Sequence, residues 1–180
     1  MYQDGLWVFG YGSLIWNPGF EFAQKHLAEL RGFRRDFCMW SVHYRGTALS
    51  PGLVLALDAA AGESCHGVAY YIDETNAAAA HEYLRARELV SAAYVEGFQE
   101  VVLKNGDIVR AVCYIVDRDH GQYAGGLSPE RQAEVIASAK GSAGPNHEYL
   151  QNTATHLAEL GIADSHMDAL YEMVCHKRNG

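Results

Sequence analysis

Leu6–Tyr11 reads LWVFGY, a continuous apolar run with aromatics that ends at glycine, the pattern of a strand buried on both faces. Asn17-Pro18-Gly19 marks a turn behind it. The stretch Glu21–Arg31 leans helical in composition, whereas Gly32–Trp40 (GFRRDFCMW) looks extended. Further strands are predicted at Leu53–Asp58, Gly67–Ile72, Phe98–Lys104 and Ile108–Asp117, the last two flanking the hairpin signal Asn105-Gly106. Thr75 is placed to cap a helix over Asn76–Glu88, and Ser128-Pro129-Glu130 opens a second one with cap, proline and acid in order. Asn146 is expected to cap His147–Leu160, closed by Gly161, and Asp164 or Ser165 starts a last helix to about His176. Strands fill mostly the first two-thirds and helices the last third, which predicts an α+β fold with an antiparallel or mixed sheet rather than a βαβ winding. No repeat, low-complexity tract or linker interrupts the pattern, so residues 1–180 are expected to form a single domain.

Composition narrows the class of protein. The chain has 180 residues, 49% hydrophobic and 20% charged with 11 Tyr, which is ample for a packed core and unlike a disordered chain. Fourteen Lys+Arg stand against 22 Asp+Glu, a formal net charge of −8, so there is no basic footprint for nucleic acid and no attraction to an anionic membrane. No apolar run approaches the roughly 18–20 residues of a membrane helix. The opening MYQDGLWVFGYGSLIW carries Asp4 and no base before its apolar run, which suits a buried strand better than a signal peptide. Cys38, Cys65, Cys113 and Cys175 are scattered without a C-x-x-C pair, favouring free thiols in a reducing compartment. A cytoplasmic domain handling a small molecule or a protein partner is the expectation.

The common catalytic templates fail. Gly10-Tyr11-Gly12-Ser13-Leu14-Ile15 begins like a dinucleotide fingerprint, but Ile15 takes the third glycine position and a Trp-Asn-Pro-Gly turn replaces the helix. His-Glu-Tyr-Leu occurs at His81 and at His147, yet Arg85 and Gln151 stand where a zinc site needs its second histidine, so no metal is predicted. Neither a nucleophile elbow nor a Walker loop is present.

Two features survive. Ala77, Ala80 and Leu84 form an apolar stripe at helical spacing, and Glu88 continues it into the last turn. Burial and the helix dipole would both raise the pKa of a carboxyl there, as a general base requires. If the helix frays earlier, Glu88 is instead solvated or paired with Arg85. The second feature is Tyr11-Gly12-Ser13-Leu14, where a strand ends in small residues whose successive N–H groups can cradle a carboxylate or oxyanion, unless it is an ordinary strand-to-turn junction. Arg45 beside Gly46 is a weaker candidate for a carboxylate clamp.

The block Trp7-Val8-Phe9-Gly10-Tyr11-Gly12-Ser13-Leu14-Ile15-Trp16-Asn17-Pro18 resembles the opening of the ChaC family, the glutathione-specific γ-glutamylcyclotransferases. The likeness runs on in order through Arg45-Gly46-Thr47, Pro51-Gly52, Gly67-Val68-Ala69-Tyr70, Arg87-Glu88, Gly141–Asn146 and Glu148-Tyr149-Leu150. The resemblance implies a γ-glutamylcyclotransferase-like fold, a mixed β-barrel with packed helices. It implies that Tyr11, Gly12, Ser13 and Leu14 hold the γ-glutamyl group and that Glu88 is the catalytic base. Tyr94 and Tyr149 match family tyrosines, as pocket walls or as core packing, and Arg45 would meet the far carboxylate of the substrate. The implied reaction is attack of the γ-glutamyl α-amine on its own γ-carbonyl, giving 5-oxoproline and Cys-Gly without metal or other cofactor. Leu89 and Leu53 stand where many members have lysine and arginine, and Ser91-Ala92-Ala93-Tyr94 replaces a glycine-rich approach to the tyrosine. Those departures leave open a cyclotransferase for other γ-glutamyl peptides or amines. A non-catalytic binding or regulatory module, linked to cation transport, is the alternative from another class; protein partners are not indicated.

Overall fold

In the computed structural model, which describes residues 2–179, the N-terminal apolar run is strand β1 (Leu6–Gly10), followed by a 3₁₀ turn at Ser13–Ile15. Then come β2 (Gln24–Ser41), β3 (Gly52–Ile72), α1 (Glu74–Glu88), β4 (Tyr94–Leu103) and β5 (Ile108–Val116). The chain closes with α2 (Pro129–Ser138), the two-residue strands β6 (Lys140–Gly141) and β7 (Gly144–Pro145), α3 (Asn146–Glu159) and α4 (Ser165–Asn179). It divides into two compact units that interleave along the sequence, residues through 35 with 57–120, and 36–56 with 121 onward.

The first unit carries the strand pairings of a closed barrel in the order β1-β3-β2-β4-β5. β1 runs antiparallel to the end of β3 (Leu6↔Ile72 to Gly10↔Val68) and parallel to β5 (Trp7↔Ala111, Val8↔Val112). β4 and β5 form the predicted hairpin, from Tyr94↔Val116 to Val102↔Ile108. At its tip Gly106 adopts φ 94°, the left-handed conformation that glycine permits. The mixed sheet agrees with the predicted class, and closure protects strand edges that would otherwise recruit another chain.

The helical leaning of Glu21–Arg31 is overturned, because β2 is a single strand of 18 residues. Ala28 and Leu30 are buried at period two, and Ala28↔Leu103 and Glu29↔Val102 pair with β4, so sheet partners outweigh local propensity. β3 likewise runs unbroken through 59–66, where small and polar residues give no apolar pattern to read. Asp73, not Thr75, caps α1, its carboxylate accepting from the Asn76 N–H at 3.1 Å. α1 lays Ala77, Ala80 and Leu84 into a core cluster with Leu6, Val8, Leu14, Ile72, Val112 and Tyr114.

In the second unit, Ser128 caps α2 as predicted, accepting from the Arg131 N–H. α3 buries Leu150, Thr153 and Leu157, and α4 buries Met167, Leu170 and Val174, stripes at helical spacing. Asn146 does not cap α3. Its fully buried side chain pairs with the backbone of Leu53, accepting from the N–H and donating to the carbonyl, both at 2.7 Å. Gly161, at φ 68°, ends α3 as expected.

Candidate active site

Glu88 is the last residue of α1, and its side chain keeps 18% of its surface exposed. Removal from water disfavours the charged carboxylate and raises its pKa above the ordinary glutamate value, while the neighbouring Arg87 guanidinium pulls the other way. Arg87 Nε lies 3.1 Å from Glu88 Oε1. The carboxylate is thus held through Oε1 by its sequence neighbour at the end of α1.

The same guanidinium reaches the turn after β1. Arg87 Nη2 donates to Ser13 Oγ at 2.9 Å, and Nη1 donates to the carbonyls of Asn17 and Pro18 at 2.8 and 3.3 Å. Hydrogen bonds inside the 3₁₀ turn begin only at the Ile15 N–H, which donates to Gly12 O at 2.9 Å. The turn therefore leaves the N–H groups of Gly12, Ser13 and Leu14 unused, three successive donors suited to an anion.

The side chains of Tyr11 and Leu14 are engaged within the first unit. The Tyr11 hydroxyl donates to the Tyr114 carbonyl at 3.0 Å, and Tyr11 is only 7% exposed. Leu14 is buried in the α1 core cluster, and its carbonyl accepts from Tyr70 Oη at 2.9 Å. The turn is held by these side-chain contacts. Tyr94 begins β4 and packs, half-buried, against that same cluster beside Leu89.

Behind Glu88 lies a polar network that the sequence did not announce. Glu96 Oε2 receives His81 Nε2 at 2.9 Å, Tyr114 Oη at 3.2 Å and Arg85 Nε at 3.4 Å. His81 Nδ1 lies 2.7 Å from Tyr2 Oη. Burial, together with the charges of Glu96 and Glu88, raises the Tyr114 pKa far above that of a free phenol, so it stays a hydroxyl donor. His81, Arg85 and Glu88 fall on one side of α1 at i, i+4 and i+7, which is the only sequence signal that would have linked them.

Arg45 and Tyr149 belong to the second unit. The Arg45 guanidinium lies over the Tyr149 ring, 5.5 Å from its centroid, and donates to the Pro145 carbonyl at 3.2 Å. Tyr149 also meets Phe37 edge-on, with ring centroids 5.8 Å apart. The cleft of this unit lined by Glu134, Ala137, Ser138, Lys177 and Arg178 contains none of the candidate residues. Among the described residues, no group of three or more His, Cys, Asp or Glu is placed to hold a metal ion, and no helix is long and apolar enough to cross a membrane.

The protein is thus of the α+β class, with a closed mixed barrel and a desolvated carboxylate at the end of α1 tied through Arg87 to the turn after β1. The family model for ChaC-like proteins matches residues 6–177, and this chain belongs to that family. The chain is 36% identical to γ-glutamylcyclotransferase 2-3 of Arabidopsis thaliana over 177 residues, covering 95% of this chain and 89% of that protein. It is 35% identical to the glutathione-specific γ-glutamylcyclotransferase of Escherichia coli K12, covering 93% and 72% of the two chains. The fold is similar to the crystal structure of a yeast γ-glutamyl cyclotransferase specific to glutathione, with a TM-score of 0.87, 28% identity and coverage of 97% and 96%.

Proposed function

We propose that this protein is a γ-glutamylcyclotransferase that cleaves glutathione to 5-oxoproline and Cys-Gly, with Glu88 as the proton-transfer group. The observation that carries the reading is the Glu88 carboxyl itself: desolvated, and paired through Oε1 with the arginine that also holds Ser13 of the turn after β1. The α-amine of the γ-glutamyl group is protonated near neutral pH and cannot attack. Glu88 Oε2 takes one proton from it, and the freed nitrogen closes on the γ-carbonyl to form a five-membered ring. The amides of Gly12, Ser13 and Leu14 hold the α-carboxylate or the oxyanion that develops at the γ-carbon. As the C–N bond to cysteine breaks, protonated Glu88 gives its proton to the leaving nitrogen; the regenerated carboxylate then takes the second proton that the ring nitrogen must shed and passes it to the Cys-Gly amine, which departs as an ammonium. The ring closure is intramolecular, so holding the chain in a reactive fold supplies the main effect, roughly 7–11 kcal/mol for well-oriented cases.

Each step uses groups of this chain alone. The requirement for an anion site in a protein of net charge −8 is met locally by backbone N–H groups. Tyr94, packed against the α1 core cluster in the same unit as Glu88, would wall the γ-glutamyl site. A reducing, glutathione-rich cytoplasm is the compartment this reading calls for.

A broader preference for γ-glutamyl peptides is the second reading, favoured by the apolar Leu89, packed against the α1 core cluster, where many family members carry lysine. Incubating the purified protein with glutathione, γ-Glu-Ala and γ-Glu-Leu, and measuring 5-oxoproline, separates the two. Glutathione specificity predicts kcat/KM at least about 100-fold higher for glutathione than for either dipeptide. Equal values support the broad reading, and no 5-oxoproline from any of them supports a binding module.

A further inference from the structure

We propose that Arg87 is a positioning residue: its guanidinium fixes the Glu88 carboxylate against the substrate turn and leaves Oε2 as the oxygen that moves the proton. The proposal rests on Glu88 as the base and adds how that base is aimed.

The geometry uses all three guanidinium nitrogens in different directions. Nε takes Glu88 Oε1, Nη2 takes Ser13 Oγ, and Nη1 takes the carbonyls of Asn17 and Pro18, with Tyr83 Oη 3.3 Å away. Helix α1 and the 3₁₀ turn are thus tied at the point where base and anion-binding amides must cooperate. A planar fork can hold these directions at once, whereas a lysine ammonium on a flexible stem is a single point charge. Only 22% of the Arg87 side-chain surface is exposed, and its bond to Ser13 Oγ is part-buried. Pairing Oε1 with Arg87 restrains the carboxylate at the helix end, and in the proposal this leaves Oε2 to the substrate.

The arrangement has an electrostatic consequence as well. Burial pushes the Glu88 pKa up and the Arg87 charge restrains the rise. The other titratable groups near Glu88 are Tyr114 on β5, with Glu96 of β4 and His81 and Arg85 of α1 behind it. These stay in place when only position 87 is changed. Removing the cation must therefore move the Glu88 pKa further up, and retaining a cation must not.

The test compares wild type, Arg87→Lys, Arg87→Met and Glu88→Gln, following 5-oxoproline release from glutathione between pH 5 and 9. Far-UV circular dichroism and Tm are measured for each. Arg87→Lys is expected to keep the acidic limb of kcat/KM where wild type has it and to lose kcat by about 10–100-fold, because the base is misaimed. KM for glutathione should change less than about threefold, since the amides that bind the carboxylate remain. Arg87→Met is expected to lose kcat to a similar extent and to shift the acidic limb to higher pH. A merely structural arginine would lower Tm without moving that limb. Should Arg87→Met fail to fold, Arg87→Gln takes its place with the same expectations. The proposal is overturned if the folded variants retain wild-type kcat, or if the limb moves equally with lysine and with the neutral side chain. An active Glu88→Gln overturns the base assignment instead, whatever position 87 does.

Discussion

Asn146 offers a perturbation whose size can be worked out from two distances. Its Oδ1 accepts from the Leu53 N–H and its Nδ2 donates to the Leu53 carbonyl, each at 2.7 Å, and both residues are fully buried. The side chain thus stands in for a neighbouring strand at the start of β3. Asn146→Ala removes both partners at once and leaves a buried donor and a buried acceptor unmatched, at about 1–3 kcal/mol each. A total near 3 kcal/mol corresponds to a fall in Tm of about 6–12 °C for a chain of this size. Asn146→Asp is a sharper probe, because it keeps the acceptor for the Leu53 N–H but turns a carboxylate oxygen toward the Leu53 carbonyl. The aspartate variant should therefore lose at least as much stability as alanine, despite being nearly the same shape. Thermal and urea unfolding, followed by tryptophan fluorescence, measure both. A Tm within 1 °C of wild type for Asn146→Ala would refute the view that this pair secures β3.

Two further predictions concern the turn and the base. Ala92 sits at φ 55° between α1 and β4, a conformation costing an alanine roughly 1–2 kcal/mol. Ala92→Gly relieves that strain but gives the unfolded chain about 0.4–1 kcal/mol of extra freedom. A small net gain is expected, a Tm rise of about 1–4 °C, and a lowered Tm would contradict it. Because the Glu88 pKa is raised by burial, the folded protein holds that proton more tightly than the unfolded chain does. The favourable contribution is therefore complete below the ordinary glutamate pKa and is lost as pH rises through the folded value. Glu88→Gln should melt above wild type at pH 7, and the difference should vanish toward pH 4; an equal difference at both pH values would contradict the sign.

Local signals were readable and long-range ones were not. The Asn105-Gly106 hairpin and the Ser128-Pro129 helix start are visible in sequence because the residues that enforce them are adjacent. β2 was misread because its partners on β4 lie some 75 positions away, and no window over Glu21–Arg31 contains them. Asn146 has the composition of a cap, but its partner Leu53 is 93 residues upstream. The desolvation of Glu88 is legible because one helical stripe leads to it, and removal from water raises its pKa as the stripe implies. Arg87 was quoted only as its neighbour, because the contacts that give it meaning reach back about 70 residues to Ser13, Asn17 and Pro18. The bond from the Tyr11 hydroxyl to the Tyr114 carbonyl is equally invisible in sequence, because its partner lies 103 residues away. Which face of a turn meets solvent is decided by the barrel it closes upon, and that information is not local.

The central claim is that the Glu88 carboxyl moves the proton that permits ring closure. Its most direct test is single-turnover release of 5-oxoproline from glutathione by Glu88→Gln, with circular dichroism confirming the fold. The variant keeps shape and polarity and removes only the ionisable group. A rate at least about 100-fold below wild type is predicted, the lower end of what a positioned base supplies. Release within twofold of wild type by the folded variant would contradict the account.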